Sequence, residues 1–105
     1  MKRGDVVIVA EGKPRPAVVV QSDTLPTPVE VLICPITSTL VDAPIYRLQV
    51  EPNAANGLKV ASQVMIDKVA PARLDRIGAV IGRLNPDELA KLDAALLALL
   101  DIGKD

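Results

Sequence analysis

Nine prolines are scattered along this chain, from Pro14 to Pro86, and they set the first limit on its fold. A proline removes a backbone donor and breaks a helix interior, so the chain up to residue 84 suits short strands joined by tight turns. The intervening segments have strand character. Val6 to Ala10 predicts a first strand, ended by Glu11-Gly12-Lys13-Pro14, and Ala17 to Val20 a second, followed by the loop Leu25-Pro26-Thr27-Pro28. Val29 to Cys34 predicts a third, closed by Pro35. Ile45 to Val50 alternates apolar with polar residues, as a half-buried strand does. Asn56-Gly57 signals a turn, Ser62 to Val69 a fifth strand, and Ile77 to Leu84 one more extended piece.

The period then changes. Asn85-Pro86-Asp87-Glu88 sets an N-cap, a first-turn proline and a capping-box acid in order, and Leu89, Leu92, Leu96, Leu99 and Leu100 follow at helical spacing. Gly103 is the expected stop. The fold class is therefore mostly β: a small antiparallel barrel of five to six strands, with the helix burying its leucine stripe across the sheet. Leu97 and Ile102 lie off that stripe and suggest contact with a second subunit.

A length of 105 residues predicts a single domain, 1–105. A globule of this size buries only roughly two-thirds of its unfolded surface, so self-association would help it. The absence of His removes His general bases, Ser-His-Asp triads and His metal sites. One cysteine, Cys34, makes no internal disulfide or cysteine cage, and no stretch approaches the ~20 apolar residues of a membrane span. A cytoplasmic protein without metal or cofactor is expected. Twelve Lys+Arg stand against thirteen Asp+Glu, but ten of those cations and only eight of the acids fall in residues 1–83, which leaves room for a local basic groove.

Several segments carry a resemblance. Arg3-Gly4-Asp5-Val6-Val7, the run from Arg15-Pro16 to Ser22-Asp23, and Cys34-Pro35-Ile36-Thr37-Ser38 resemble, in that order, the MazF/PemK family of toxin endoribonucleases. Gly57-Leu58, Ser62-Gln63-Val64, Ile66-Asp67-Lys68, Ile81-Gly82-Arg83-Leu84 and the closing helix extend the likeness over nearly the whole chain. The resemblance implies an SH3-like barrel with a C-terminal helix. It also implies a homodimer, metal-independent cleavage of single-stranded RNA, and a separate antitoxin protein that lays a flexible segment over the RNA groove. Residue by residue, it makes Arg15 and Thr37 the catalytic pair, and Ser38, Asp67, Lys68 and Glu11 RNA contacts. Asp67 and Glu11 are also candidate general bases.

The chemistry suits these residue types. RNA cleavage by its own 2′-hydroxyl needs positioning, charge stabilisation and proton transfer, but no protein nucleophile. A guanidinium donates two parallel hydrogen bonds to a phosphate, which Lys does not imitate. Without the family pattern, Arg15 reads as a solvated residue at a strand start. Thr37-Ser38 then reads as a turn after Pro35 and Asp67-Lys68 as a surface ion pair.

The sequence also departs from the family. The loop Glu11-Gly12-Lys13-Pro14 is short, Met65 stands where some relatives carry a second arginine, and Tyr46 is the sole aromatic for base stacking. Two other readings remain open at this point. One is a DNA gyrase poison like CcdB, whose gyrase contact uses a tryptophan that this chain lacks. The other is an inactive barrel that only binds a partner.

Overall fold

The computed structural model describes residues 1–101. Seven strands precede one helix: β1 (Asp5–Val9), β2 (Arg15–Val19), β3 (Glu30–Thr37), β4 (Arg47–Val50), β5 (Ser62–Met65), β6 (Ala70–Arg73), β7 (Ile77–Arg83) and α1 (Pro86–Leu100). All pairings are antiparallel, in the order β4-β5-β3-β2-β1-β7, with β6 also on β3.

The near-continuous apolar runs of β1 and β2 follow from burial on both faces of the sheet. Val6, Val18, Val20 and Cys34 join Ile36, Val64, Ile66 and Leu92 in a core beneath the helix. Their alternate neighbours Val7, Ala17, Val19, Val31 and Ile33 form a second, smaller core with Ala72.

Two expectations are corrected. Ser62 to Val69 is not one strand, because a 3₁₀ turn at Ile66–Lys68 splits it into β5 and β6. Both halves lie along β3, whose partners run from Val64 opposite Ile36 to Ala70 opposite Ile33. Three steps on β3 thus match six on its partner, and the turn takes up the difference. Nor does Pro35 close β3, which continues to Thr37. Val20 N donates to Leu32 O at 3.0 Å, so the N–H groups of even residues in β3 face β2 and those of odd residues face β5 and β6. Position 35 falls at the junction between those two strands, so its missing N–H costs little.

The sheet is also not a closed barrel. β4 and β7 end the hydrogen-bonded path and share no ladder. Residues 53–57 bridge to β7 instead, with Arg83 N donating to Ala55 O at 2.8 Å. This contact is backbone against backbone, since a Cβ on Gly82 would overlap Ala55 and Asn56, and one on Gly57 would overlap the Ile81 carbonyl. Gly57 also has φ +70°, a conformation glycine adopts without strain.

The helix begins as predicted. Asn85 Oδ1 accepts from Glu88 N at 2.8 Å and Glu88 Oε1 from Asn85 N at 2.9 Å, a complete capping box with Pro86 in the first turn. Its leucine stripe is buried only in part. Leu92 is fully buried and Leu89, Ala95 and Leu96 pack on the core, but Leu99 and Leu100 are exposed, as is Leu97. The chain leaves the helix at Asp101, at φ 55°, and the expected stop at Gly103 lies outside the described residues, as does Ile102. Arg3 ties the helix to the sheet: its Nε donates to Val20 O at 2.8 Å and its Nη1 lies 2.7 Å from Asp93 Oδ1. Among the described residues no helix is long and apolar enough to cross a membrane.

Candidate functional site

The paired stretch of β2 and β3 ends beside Pro16. The bonds donated by β2 to β3 recur at every second residue, from Val20 to Val18 and then to position 16. Pro16 has no N–H to give. The last paired residues are Ala17 and Pro35, while on its other edge β3 pairs with β5 through Ile36 with Val64 and Thr37 with Gln63. Arg15 stays on β1, paired with Val9.

A cavity of about 330 Å³ opens beside these strand ends. Arg15 and Pro16 of β2, together with Thr37 and Ser38 at the end of β3, form one part of its wall, and Leu58, Lys59 and Val60 form another. The volume is at the lower end of ordinary ligand pockets. Thr37 Oγ1 accepts a hydrogen bond from Thr39 N at 3.0 Å, which fixes the hydroxyl at the head of the following turn. Gln63 holds that segment down through a pair of bonds to Val41, one accepted from its N–H at 3.1 Å and one donated to its carbonyl at 2.9 Å.

The wall has one sign of charge. Among the described residues Lys13, Arg15 and Lys59 line it and no carboxylate does, although acids outnumber bases over the whole chain. Low-dielectric walls bearing cations alone concentrate field on an anion. Lys13 and Lys59 were not among the residues singled out from sequence. The signals were faint: Lys13 sits in the short loop before Arg15, and Lys59 directly follows the Gly57-Leu58 pair.

Of the residues expected to act together, Arg15, Thr37 and Ser38 share this cavity. Asp67 and Lys68 do not line it. They are exposed on the 3₁₀ turn, which packs against β3, β4 and α1. Glu11 is also absent from the wall, and its charge acts on Arg73 of β6 instead. Neither candidate base lines the cavity. Cys34 belongs to the core, where burial pushes its thiol up to about 11 and makes it inert as a nucleophile. Among the described residues no group of three or more His, Cys, Asp or Glu side chains is placed to hold a metal ion.

Comparison with known proteins agrees with this architecture. A family model described as the PemK-like, MazF-like toxin of type II toxin-antitoxin systems matches residues 2–100. A probable endoribonuclease MazF from Mycolicibacterium smegmatis is 36% identical over 108 residues, covering 98% of this chain and 99% of the relative. Among solved structures, the Mycobacterium tuberculosis toxin MazF-mt6 superposes with a TM-score of 0.80 at 26% identity, covering 92% of this chain and 96% of that one. A mycobacterial endoribonuclease in complex with its cognate antitoxin gives a TM-score of 0.78 at 20% identity, over 100% and 99% of the two chains. With nearly its whole length matched both by the family model and by a relative of this identity, the chain belongs to the PemK-like, MazF-like toxins of type II toxin-antitoxin systems.

Proposed function

We propose that this toxin is an endoribonuclease whose reaction takes place in the cavity between the parted ends of β2 and β3, with Arg15 and Thr37 as its catalytic pair. The observation that carries the assignment is the lining: a guanidinium and a fixed hydroxyl share a wall that holds two further cations and no carboxylate. Such a wall admits a phosphodiester and repels none of its charge.

In this reading the 2′-oxygen of the RNA attacks the adjacent phosphorus and the 5′-oxygen leaves. The products are a 2′,3′-cyclic phosphate and a 5′-hydroxyl end. Arg15 holds two non-bridging oxygens through its planar fork and stabilises the charge that builds on them. Thr37 Oγ1 hydrogen-bonds the same group, the 2′-proton passes by way of this hydroxyl to water, and the leaving 5′-oxygen takes its proton from water. Ser38 lies next to Thr37 and offers a further donor. Asp67 and Lys68, exposed outside the cavity, are assigned to contacts with neighbouring bases, and Glu11 is left without a role in the cleaving chain.

The family membership supports a cognate antitoxin as protein partner. The exposed Leu97, Leu99 and Leu100 of α1, with Val80 on the edge strand β7, support a homodimer of one-domain chains, 1–105, acting in the cytoplasm.

The test incubates purified protein with mixed-sequence single-stranded RNA in excess EDTA and maps the product ends. Site-limited cleavage leaving 5′-hydroxyl ends, lost in Arg15→Ala, supports the reading. Cleavage undiminished by Arg15→Ala moves the site elsewhere. No cleavage by folded, antitoxin-free protein refutes the activity, and a gyrase supercoiling assay then tests the CcdB-like alternative.

A further inference from the structure

We propose that Lys59, with Lys13 lining the same cavity, forms a second phosphate subsite that holds the RNA strand next to the phosphate being cleaved. This inference rests on the endoribonuclease reading above and adds to it a division of labour between two kinds of cation.

The cavity concentrates cations that the fold does not use. Ion pairs join Arg3 to Asp93, Arg73 to Asp75, Arg83 to Asp5 and Lys91 to Asp87. Lys13, Arg15 and Lys59 take part in none of these pairs, and among the described residues no carboxylate lines the wall beside them. Three such cations around one cavity raise the local positive potential more than scattered surface lysines do.

Lys59 is also carried on a backbone that is held in place. Asn56 is completely buried, donates to Glu51 O at 2.9 Å, and accepts through Oδ1 from Asn53 N at 3.1 Å and Leu58 N at 3.0 Å. Asn53 in turn accepts from Ala55 N and Asn56 N, at 2.9 and 2.8 Å. With Gly57 against Ile81 and Gly82 against Ala55, the clasp leaves Lys59 a fixed starting point and a flexible, exposed stem. Ser62 Oγ donates to Val60 O at 2.9 Å and secures the other side of the segment.

The residue type defines the role. An ammonium is a hydrated point charge without the guanidinium fork, suited to a phosphate whose charge is the same before and during reaction. Such a contact holds substrate and transition state equally, so its loss raises KM and leaves kcat in place.

The experiment measures binding of the full chain to a single-stranded RNA carrying a 2′-deoxy sugar at the mapped cleavage position, as a function of salt, alongside cleavage of the natural strand. Wild type, Lys59→Ala, Lys59→Arg, Lys13→Ala, Arg15→Ala and the charge control Lys91→Ala are compared, with thermal melting to verify folding. Lys59→Ala is expected to reduce the slope of log K against log salt by about 0.7, the value for one phosphate contact on a single strand. It is also expected to raise KM several-fold with kcat retained, Lys59→Arg to restore both, and Lys91→Ala to match wild type. An unchanged slope and KM in Lys59→Ala, with Arg15→Ala inactive, overturns the subsite and leaves the endoribonuclease reading standing. A fall in kcat rather than a rise in KM makes Lys59 part of the reacting site and overturns the division of labour. Absence of cleavage in wild type overturns both.

Discussion

Arg15 and Thr37 occupy matching positions two residues beyond the last pair that joins β2 to β3, Ala17 with Pro35. Continued to position 16, the ladder would draw these side chains together as ordinary cross-strand neighbours and leave no cavity between them. The missing donor of Pro16 removes the next bond from β2 to β3, where the paired stretch ends. Arg15 and Thr37 both line the cavity beyond that last pair.

Pro16→Ala restores that donor. One further bond to Ile36 O contributes about 0.5–1.5 kcal/mol, and loss of the proline's restraint on the unfolded chain costs about 0.4–1 kcal/mol, so stability should stay nearly level. RNA cleavage should fall roughly tenfold or more as the cavity narrows, a barrier change of about 1.4 kcal/mol. Hydrogen exchange is expected to show a slowly exchanging amide at residue 16. A fast-exchanging amide there, with full activity, would show that the proline does not keep the strands apart.

Arg15→Lys separates charge from geometry. The substitution keeps the positive charge and gives up the fork. Cleavage should fall by about 10²–10³-fold, comparable to removing one oriented donor from a developing oxyanion. Binding of the uncleavable strand, and its salt dependence, should barely move. Thr37→Val should produce a smaller loss of kcat with the melting temperature near wild type, because the hydroxyl's bond to Thr39 N lies at the surface. If Arg15→Lys cleaves at the wild-type rate, Arg15 supplies only charge and the bidentate assignment is wrong.

What could be read from the sequence was whatever local chemistry decides. Asn85 and Glu88 sit three residues apart before a leucine stripe, and the capping box forms where that spacing predicts. β1 and β2 are legible because their apolar runs are uninterrupted. The split between β5 and β6 was not, since Ser62 to Val69 has strand-like composition throughout. The turn at Ile66–Lys68 arises because β3 accepts both halves on one side, a long-range demand with no local mark. Pro35 misled in the opposite sense: it resembles a strand terminus, yet its missing donor falls at a position with no partner. Arg15, Thr37 and Ser38 line one cavity, whereas Lys59 reaches it through the Asn53–Asn56 clasp, a tertiary contact with β7 that sequence alone does not declare.

That clasp makes Gly57 a sensitive position. A Cβ there meets the Ile81 carbonyl, and φ +70° is unfavourable for an L side chain. The conformation costs about 1–2 kcal/mol, and relieving the overlap requires the 53–57 segment to move off β7. Gly57→Ala should therefore melt at least several degrees below wild type and lose RNA binding. Gly12→Ala, also at positive φ but with nothing within 4 Å of the added carbon, should pay the backbone term alone. Equal melting temperatures for the two variants would show that the close approach to β7 contributes nothing.

Alkaline pH should weaken the fold through Cys34. Burial raises this thiol from 9.0 to about 11, with Arg3 lowering it and Asp67 raising it to smaller extents. In the unfolded chain the thiol ionises first, so between pH 9 and 11 the folded state binds the proton more tightly. Stability from this group is complete below the unfolded value and is lost as pH rises through the folded one, on the order of 1–3 kcal/mol across the window. Cys34→Ala removes the titration and leaves a small cavity in the core beneath the helix. It should be less stable than wild type at pH 7, and the difference between the two should shrink from pH 9 upward. Taking the difference cancels whatever the two proteins share. Denaturant unfolding of both proteins at pH 7, 9 and 10.5 measures it, and a gap that stays constant or widens would show that the Cys34 proton is not coupled to folding.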